Sequence, residues 1–153
     1  MSPVACPAPR RLAHFTLPSV PGNERAAIAQ VCDSVAGLNL PRGRLERLKT
    51  VVGEATMNAI EHGNGNRPDL AVDIEVFAAG AEVIVAITDR GGCSDAGRLD
   101  ERARGEVPDL ARKLSGDQEP AGWGLFLIRH MVDGMEVTTS GERRTVRLTM
   151  RTQ

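Results

Sequence analysis

The chain has 153 residues, 41% apolar and 25% charged, which suits one folded domain and excludes collagen-like and wholly disordered classes. Nineteen Lys and Arg against 20 Asp and Glu leave a net charge of −1, so neither a basic nucleic-acid face nor a polybasic membrane anchor is expected. Aromatic residues make up 3% and Tyr is absent, which leaves little from which to build base-stacking platforms.

Cys6, Cys32 and Cys93 form no CxxC pair, a pattern that predicts reduced thiols and a cytoplasmic protein rather than a disulfide framework. No apolar run approaches the roughly 20 residues of a membrane span, and the N-terminus lacks the apolar stretch of a signal peptide. Residues 1–9, with Pro3, Pro7 and Pro9, read as a flexible leader, and residues 10–153 as a single domain.

Arg11 to Leu17 alternates polar and apolar and predicts a strand, with Leu12, His14 and Thr16 on one face and Ala13, Phe15 and Leu17 on the other. Asn23 stands as the N-cap of a helix that carries Ala27, Ile28, Val31, Cys32 and Val35 on one side. A longer helix is predicted from Arg42 to His62, its apolar stripe formed by Leu45, Leu48, Val52, Ala55 and Ala59. Glu54, Asn58 and His62 line up away from that stripe at i, i+4, i+8. Gly63-Asn64-Gly65-Asn66 stops the helix with residues that tolerate positive φ.

Leu70 to Ala78 and Glu82 to Thr88 predict a hairpin across Ala79-Gly80-Ala81, the second strand apolar on both faces at its centre. From Cys93 to Ala121 the periodicity dissolves, and a structureless stretch of roughly 30 residues commonly marks a lid or a disordered tract. Gly122-Trp123-Gly124-Leu125 then opens an apolar helix through Val132, and Val137–Thr139 with Thr145–Met150 closes the chain as a hairpin. Hairpin-linked strands with helices grouped apart predict an α+β fold, a mostly antiparallel sheet with helices on one face.

Three short constellations carry chemistry. Glu54 and Asn58 share a helix face one turn apart, where a carboxylate can take a proton and an amide oxygen can ligate a hard cation such as Mg²⁺. Taken alone they equally suit a solvated helix face. Asp89 ends a buried strand and could accept a hydrogen bond from an exocyclic amine, with Gly91 allowing a ring to approach; the pair also suits an ordinary turn. Gly122-x-Gly124 at a helix start offers unobstructed N–H groups to phosphate oxygens. Neither the dinucleotide fingerprint nor a P-loop is present.

Together, Glu54-Ala55-Thr56-Met57-Asn58-Ala59-Ile60-Glu61-His62-Gly63-Asn64, Asp89-Arg90-Gly91 and Gly122-Trp123-Gly124-Leu125 resemble the N-box and the two glycine boxes of the GHKL ATPase superfamily. Within it the chain is most similar to bacterial anti-sigma-factor serine kinases, the switch-protein kinases. The resemblance implies a Bergerat-type two-layer α/β sandwich that binds ATP with Mg²⁺ under a lid at about residues 93–121. It assigns Glu54 as general base, Asn58 to the metal, Asp89 and Gly91 to adenine with Thr145 in support, and Gly122 and Gly124 to the phosphates, with Trp123 and Leu125 of the same box in the ATP site, Trp123 equally suiting packing or the lid hinge. His62 fits either a place near the phosphates or a structural role. The sequence departs from the first glycine box at Cys93, where that family usually has a second glycine.

The function implied is a serine/threonine kinase that phosphorylates a small anti-sigma-factor antagonist and sequesters a sigma factor or another regulatory protein. A homodimer is typical of that family. The alternative is a nucleotide-binding anti-sigma factor or adaptor without transfer.

Overall fold

The computed structural model describes residues 8–91 and 120–153. Expectations for residues 1–7, for Gly92 and Cys93, and for the lid as far as residue 119 lie outside these. Pro120 and Ala121, assigned to the lid by sequence, instead open a helix.

Alternation builds the sheet. In β2 (Ala71–Ala79), Val72, Ile74 and Val76 are fully buried while Asp73 and Glu75 between them are half-buried, as expected of a strand with one covered face. β3 (Glu82–Asp89) buries Val83, Val85, Ile87 and Asp89 on the covered side and Ile84 on the other. Ile84 is shielded by its cross-strand neighbours, Phe77 of β2 and Thr149 of β5 (Arg143–Arg151). β1 (Arg10–Pro18) and β4 (Gly134–Ser140) are the edges, and the order is β1-β2-β3-β5-β4 with every pair antiparallel.

β1 departs from simple alternation. Its register against β2 slips between Arg11 and Ala13, and at this bulge Leu12 joins Ala13 and Phe15 in packing on the core. His14 and Thr16 remain exposed.

α1 (Glu24–Val35) buries Ala27, Val31 and Val35 and packs on β1, β2 and α2. Asn23 occupies the N-cap position with helical φ and ψ, but its side chain does not cap. Its Nδ2 donates to the Pro18 carbonyl at 2.8 Å instead, tying the helix start to the end of β1. α2 (Arg42–Asn58) buries Leu48, Val51, Val52 and Ala55 and lies against β3 and β5. At Gly53 it passes so close to α1 that a Cβ there would stand 3.0 Å from Ile28 Cδ1. α3 (Pro120–Met131) places Ile128 in the same core, packs on α2 and touches β4. The three helices thus cover one face of the sheet. Each of the fully buried Val and Ile side chains between the layers contributes about 1.5–3 kcal/mol.

The predicted helix from Arg42 to His62 has the right extent but not one geometry. Ala59–Gly63 is a π-helical turn, closed by the Asn64 N–H donating to the Ala59 carbonyl at 2.8 Å. After it, Gly65 and Asn66 take positive φ (60° and 58°), as read from sequence, whereas Asn64 does not (φ −97°).

Asn64 serves another purpose. Its Nδ2 donates to Ser19 Oγ at 2.8 Å and to the Ala71 carbonyl at 3.2 Å, and its Oδ1 accepts the Arg90 N–H at 2.7 Å. Ser19 Oγ in turn donates to the Leu70 carbonyl at 2.6 Å. One buried amide therefore joins the end of β1, the π turn, the start of β2 and the end of β3. Asn64→Ala is expected to destabilise the fold by about 2–3 kcal/mol, because buried groups lose their partners. Urea unfolding should show a lower midpoint with an unchanged slope.

Candidate nucleotide site

The last residue of β3 and the second residue of β5 face each other across the ladder, Asp89 opposite Arg144. Both side chains are almost fully buried, at 1% and 2% exposure. Arg144 Nη2 and Nε donate to Asp89 Oδ2 at 2.7 and 2.9 Å, and the Gly91 N–H donates to Oδ1 at 3.3 Å. Burial pushes the Asp89 carboxyl above its ordinary value, opposed by the Arg144 guanidinium and by the Gly91 N–H.

This carboxylate is set against the π turn. A Cβ on Gly63 would collide with the Asp89 carboxyl group, and a Cβ on Gly91 would collide with the Gly63 carbonyl. Glycine at both places lets β3 and the helix end meet backbone to backbone. Gly91 was assigned beside a bound ring, but the protein's own packing already demands it. Gly91→Ala is expected to cost about 1–3 kcal/mol, since a backbone carbonyl cannot swing aside as a side chain can. It should also displace Asp89, so thermal unfolding and nucleotide binding should both weaken.

Asn58 lies about one turn before Gly63, at the end of α2, and Glu54 one turn earlier. Asn58 is 7% exposed, and Glu54 is half-buried. Asn58 Nδ2 and Thr56 Oγ1 are buried with no hydrogen-bond partner among the described residues. An unpaired buried amide is costly enough to suggest a missing ligand. Among the described residues no group of three or more His, Cys, Asp and Glu side chains is arranged to hold a metal ion.

His62 is half-buried inside the π turn. An i→i+5 repeat turns each residue through a smaller angle than an α repeat does. His62 is therefore offset from the Glu54–Asn58 line that uniform α spacing predicts. Such π insertions recur at functional sites, and here the insertion is what carries Gly63 to Asp89.

Gly122, Trp123, Gly124 and Leu125 fall within the first turns of α3, one position or more inside the helix, rather than in a turn before it. Pro120 takes the first helical position, where its missing N–H is not needed. Gly122 thus lies among the residues whose N–H groups lack intrahelical acceptors.

Thr145 is not brought to Asp89. Strand alternation puts it on the opposite side of the sheet from Arg144, where its hydroxyl meets Thr88 Oγ1 at 2.8 Å. The role that the resemblance gave it beside adenine is corrected by this geometry. Arg144 occupies the inward position and was missed from sequence. Its signal was available: in an antiparallel hairpin, an Arg one place before Thr145 must share the face of Val146±2 neighbours such as Leu148.

Residues 17–150 match the histidine kinase-like ATPase domain family. The chain belongs to that family. Among relatives of this ATPase domain, the anti-sigma F factor of Clostridium botulinum is 32% identical over 124 residues, covering 80% of this chain and 81% of the relative. The anti-sigma F factor of Oceanobacillus iheyensis is 32% identical over 128 residues, with coverage of 83% and 82%. In solved structures, the fold of this histidine kinase-like domain recurs in the SiaB–SiaC complex from Pseudomonas aeruginosa, with a TM-score of 0.67, 14% identity and coverage of 92% and 90%. It recurs also in the RsbU and RsbW domains of a Mycobacterium tuberculosis protein, with a TM-score of 0.63 and 20% identity. There the match covers 91% of this chain but 31% of that longer one. The GHKL resemblance and the α+β fold read from the motifs are borne out.

Proposed function

We propose that this chain is an ATP-dependent serine/threonine kinase of a partner-switching system. It phosphorylates a small anti-sigma-factor antagonist and sequesters a sigma factor or another regulatory protein. The observation that carries the reading is the junction of Gly63 and Asp89. It joins the helix bearing Glu54 and Asn58 to the strand end bearing the buried carboxylate, which supports reading the first two boxes as one site. The anti-sigma F factor relatives support the biological setting.

In this reading Asp89 receives the exocyclic amine of adenine. Asn58 fits the metal–phosphate end, because its buried amide needs a partner there: the oxygen would ligate Mg²⁺ and the nitrogen would donate to a phosphate oxygen. Mg²⁺, when bound, offsets the negative charge of the triphosphate. Glu54 accepts the proton of the attacking Ser or Thr hydroxyl as that oxygen bonds to the γ-phosphorus and the bond to the departing ADP breaks. Gly122 and the start of α3 receive phosphate oxygens on backbone N–H groups. Phosphate on the antagonist adds roughly two negative charges and loosens its complex.

The test is to incubate the protein with Mg-ATP and its antagonist and to weigh the antagonist by mass spectrometry. A product one phosphate heavier is expected. An unmodified antagonist, with ATP bound, would leave a nucleotide-dependent binding module in place of a kinase.

A further inference from the structure

The Arg144–Asp89 pair is more than a structural ion pair in its placement. Both Arg144 bonds go to one oxygen, Oδ2, at 2.7 and 2.9 Å. Among the described residues, Oδ1 accepts only the Gly91 N–H, and that at a long 3.3 Å. A carboxylate oxygen accepts about two hydrogen bonds, so Oδ2 is saturated and Oδ1 keeps room for another donor. Two bonds from one guanidinium fix the position of Oδ2, and the Gly91 N–H engages the other oxygen, so the carboxylate is restrained at both.

Resting on the reading of Asp89 as the group that meets the base, we propose that Arg144 is a specificity-determining residue of the nucleotide site. Its guanidinium holds Asp89 as an ionised, restrained acceptor. The site therefore takes a purine carrying an exocyclic amine and rejects one carrying a carbonyl at that place. An ionised carboxylate can only accept, so it bonds an amine and repels a carbonyl oxygen. A protonated one could donate to the carbonyl, and the discrimination would be lost.

Among the described residues, the following charged and titratable groups lie nearest Asp89 on the elements around it. Arg144 faces it from β5, and Arg90 follows it in the chain with its guanidinium 3.6 Å from Asp73. The π turn carries exposed Glu61 and half-buried His62, and α2 carries half-buried Glu54. Without Arg144, burial acts on the Asp89 carboxyl without its nearest cation and pushes it further up.

The experiment measures dissociation constants of Mg-ATP and Mg-ITP for the whole chain by calorimetry, from about pH 6 to about pH 7.5, a range that brackets neutral and in which the ITP ring keeps its own proton. For the wild type, ATP is expected to bind about 100-fold tighter than ITP, since a site built to pair a donor rejects its replacement strongly. That ratio should not change with pH. Arg144→Met should collapse the ratio by about tenfold or more at the acid end, with recovery as the pH rises and Asp89 loses its proton. Arg144→Gln keeps hydrogen-bond donors without the charge and must behave like Arg144→Met, while Arg144→Lys should retain most of the selectivity. If one neutral variant does not fold, the other carries the test.

Equal weakening of both nucleotides, with the ratio still flat in pH, would make Arg144 a structural residue and overturn the proposal while leaving the ATP site intact. A wild-type ratio that drifts with pH would overturn it as well. A wild type that binds neither nucleotide overturns the underlying reading and the proposal together.

Discussion

Glu54→Gln is expected to slow phosphoryl transfer to the antagonist by about 100- to 10,000-fold, the usual contribution of a positioned general base. The substitution keeps size and hydrogen bonding but removes the proton acceptor. Glu54 is half-buried and lies off the helix's core-facing stripe, so stability should change by no more than about 0.5 kcal/mol. Affinity for ATP should be nearly unchanged, because the residue acts on the attacking hydroxyl and not on the nucleotide. Single-turnover transfer, measured beside ATP binding, separates these effects. Transfer at the wild-type rate would remove Glu54 from the mechanism and leave Asp89 and Asn58 untouched.

Asp89→Asn should have the largest combined effect on stability and binding. It leaves the Arg144 guanidinium buried at 2% exposure without its counter-ion. Breaking one side of a buried ion pair costs about 3–5 kcal/mol. For a domain of this length that lowers the thermal midpoint by about 10 °C. ATP binding should fall by about 100-fold or more, because the amide that replaces Oδ1 or Oδ2 is a donor set against the donor on the base. The double variant Asp89→Asn, Arg144→Met separates the two losses. A buried pair replaced as a unit is often neutral or stabilising, so the midpoint should recover while ATP binding does not.

The titration of Asp89 agrees with that expectation. Burial holds its folded carboxyl above the unfolded value. Its contribution to stability is therefore complete at low pH and declines as pH rises through the folded value. The ionised pair is thus a poor source of stability.

Local periodicity in the sequence already determined the helices and the hairpins, and the three boxes were legible through their resemblance to a known family. Val72, Ile74 and Val76 alternate because one sheet face is covered, and Leu48, Val52 and Ala55 recur because one helix face is. These signals depend on neighbours within a few residues, so the one-dimensional chain carries them. The resemblance carried by these motifs likewise implied that Glu54, Asn58 and Asp89 belong to one site before any geometry was known.

Tertiary structure alone decided the rest. The π turn at Ala59–Gly63 arises because Gly63 must reach Asp89, a contact between residues far apart in the chain. Asn64, read as a helix stop, became a buried clamp because four segments converge on it. Thr145 and Arg144 exchanged places because a strand sends adjacent side chains to opposite faces, and only the β3–β5 register shows which face Asp89 shares. Charge in a sequence is counted per residue, whereas the energy of a charge depends on what has been folded around it. Hence Arg144, one of 19 basic residues by composition, is the one Lys or Arg that is buried among the described residues.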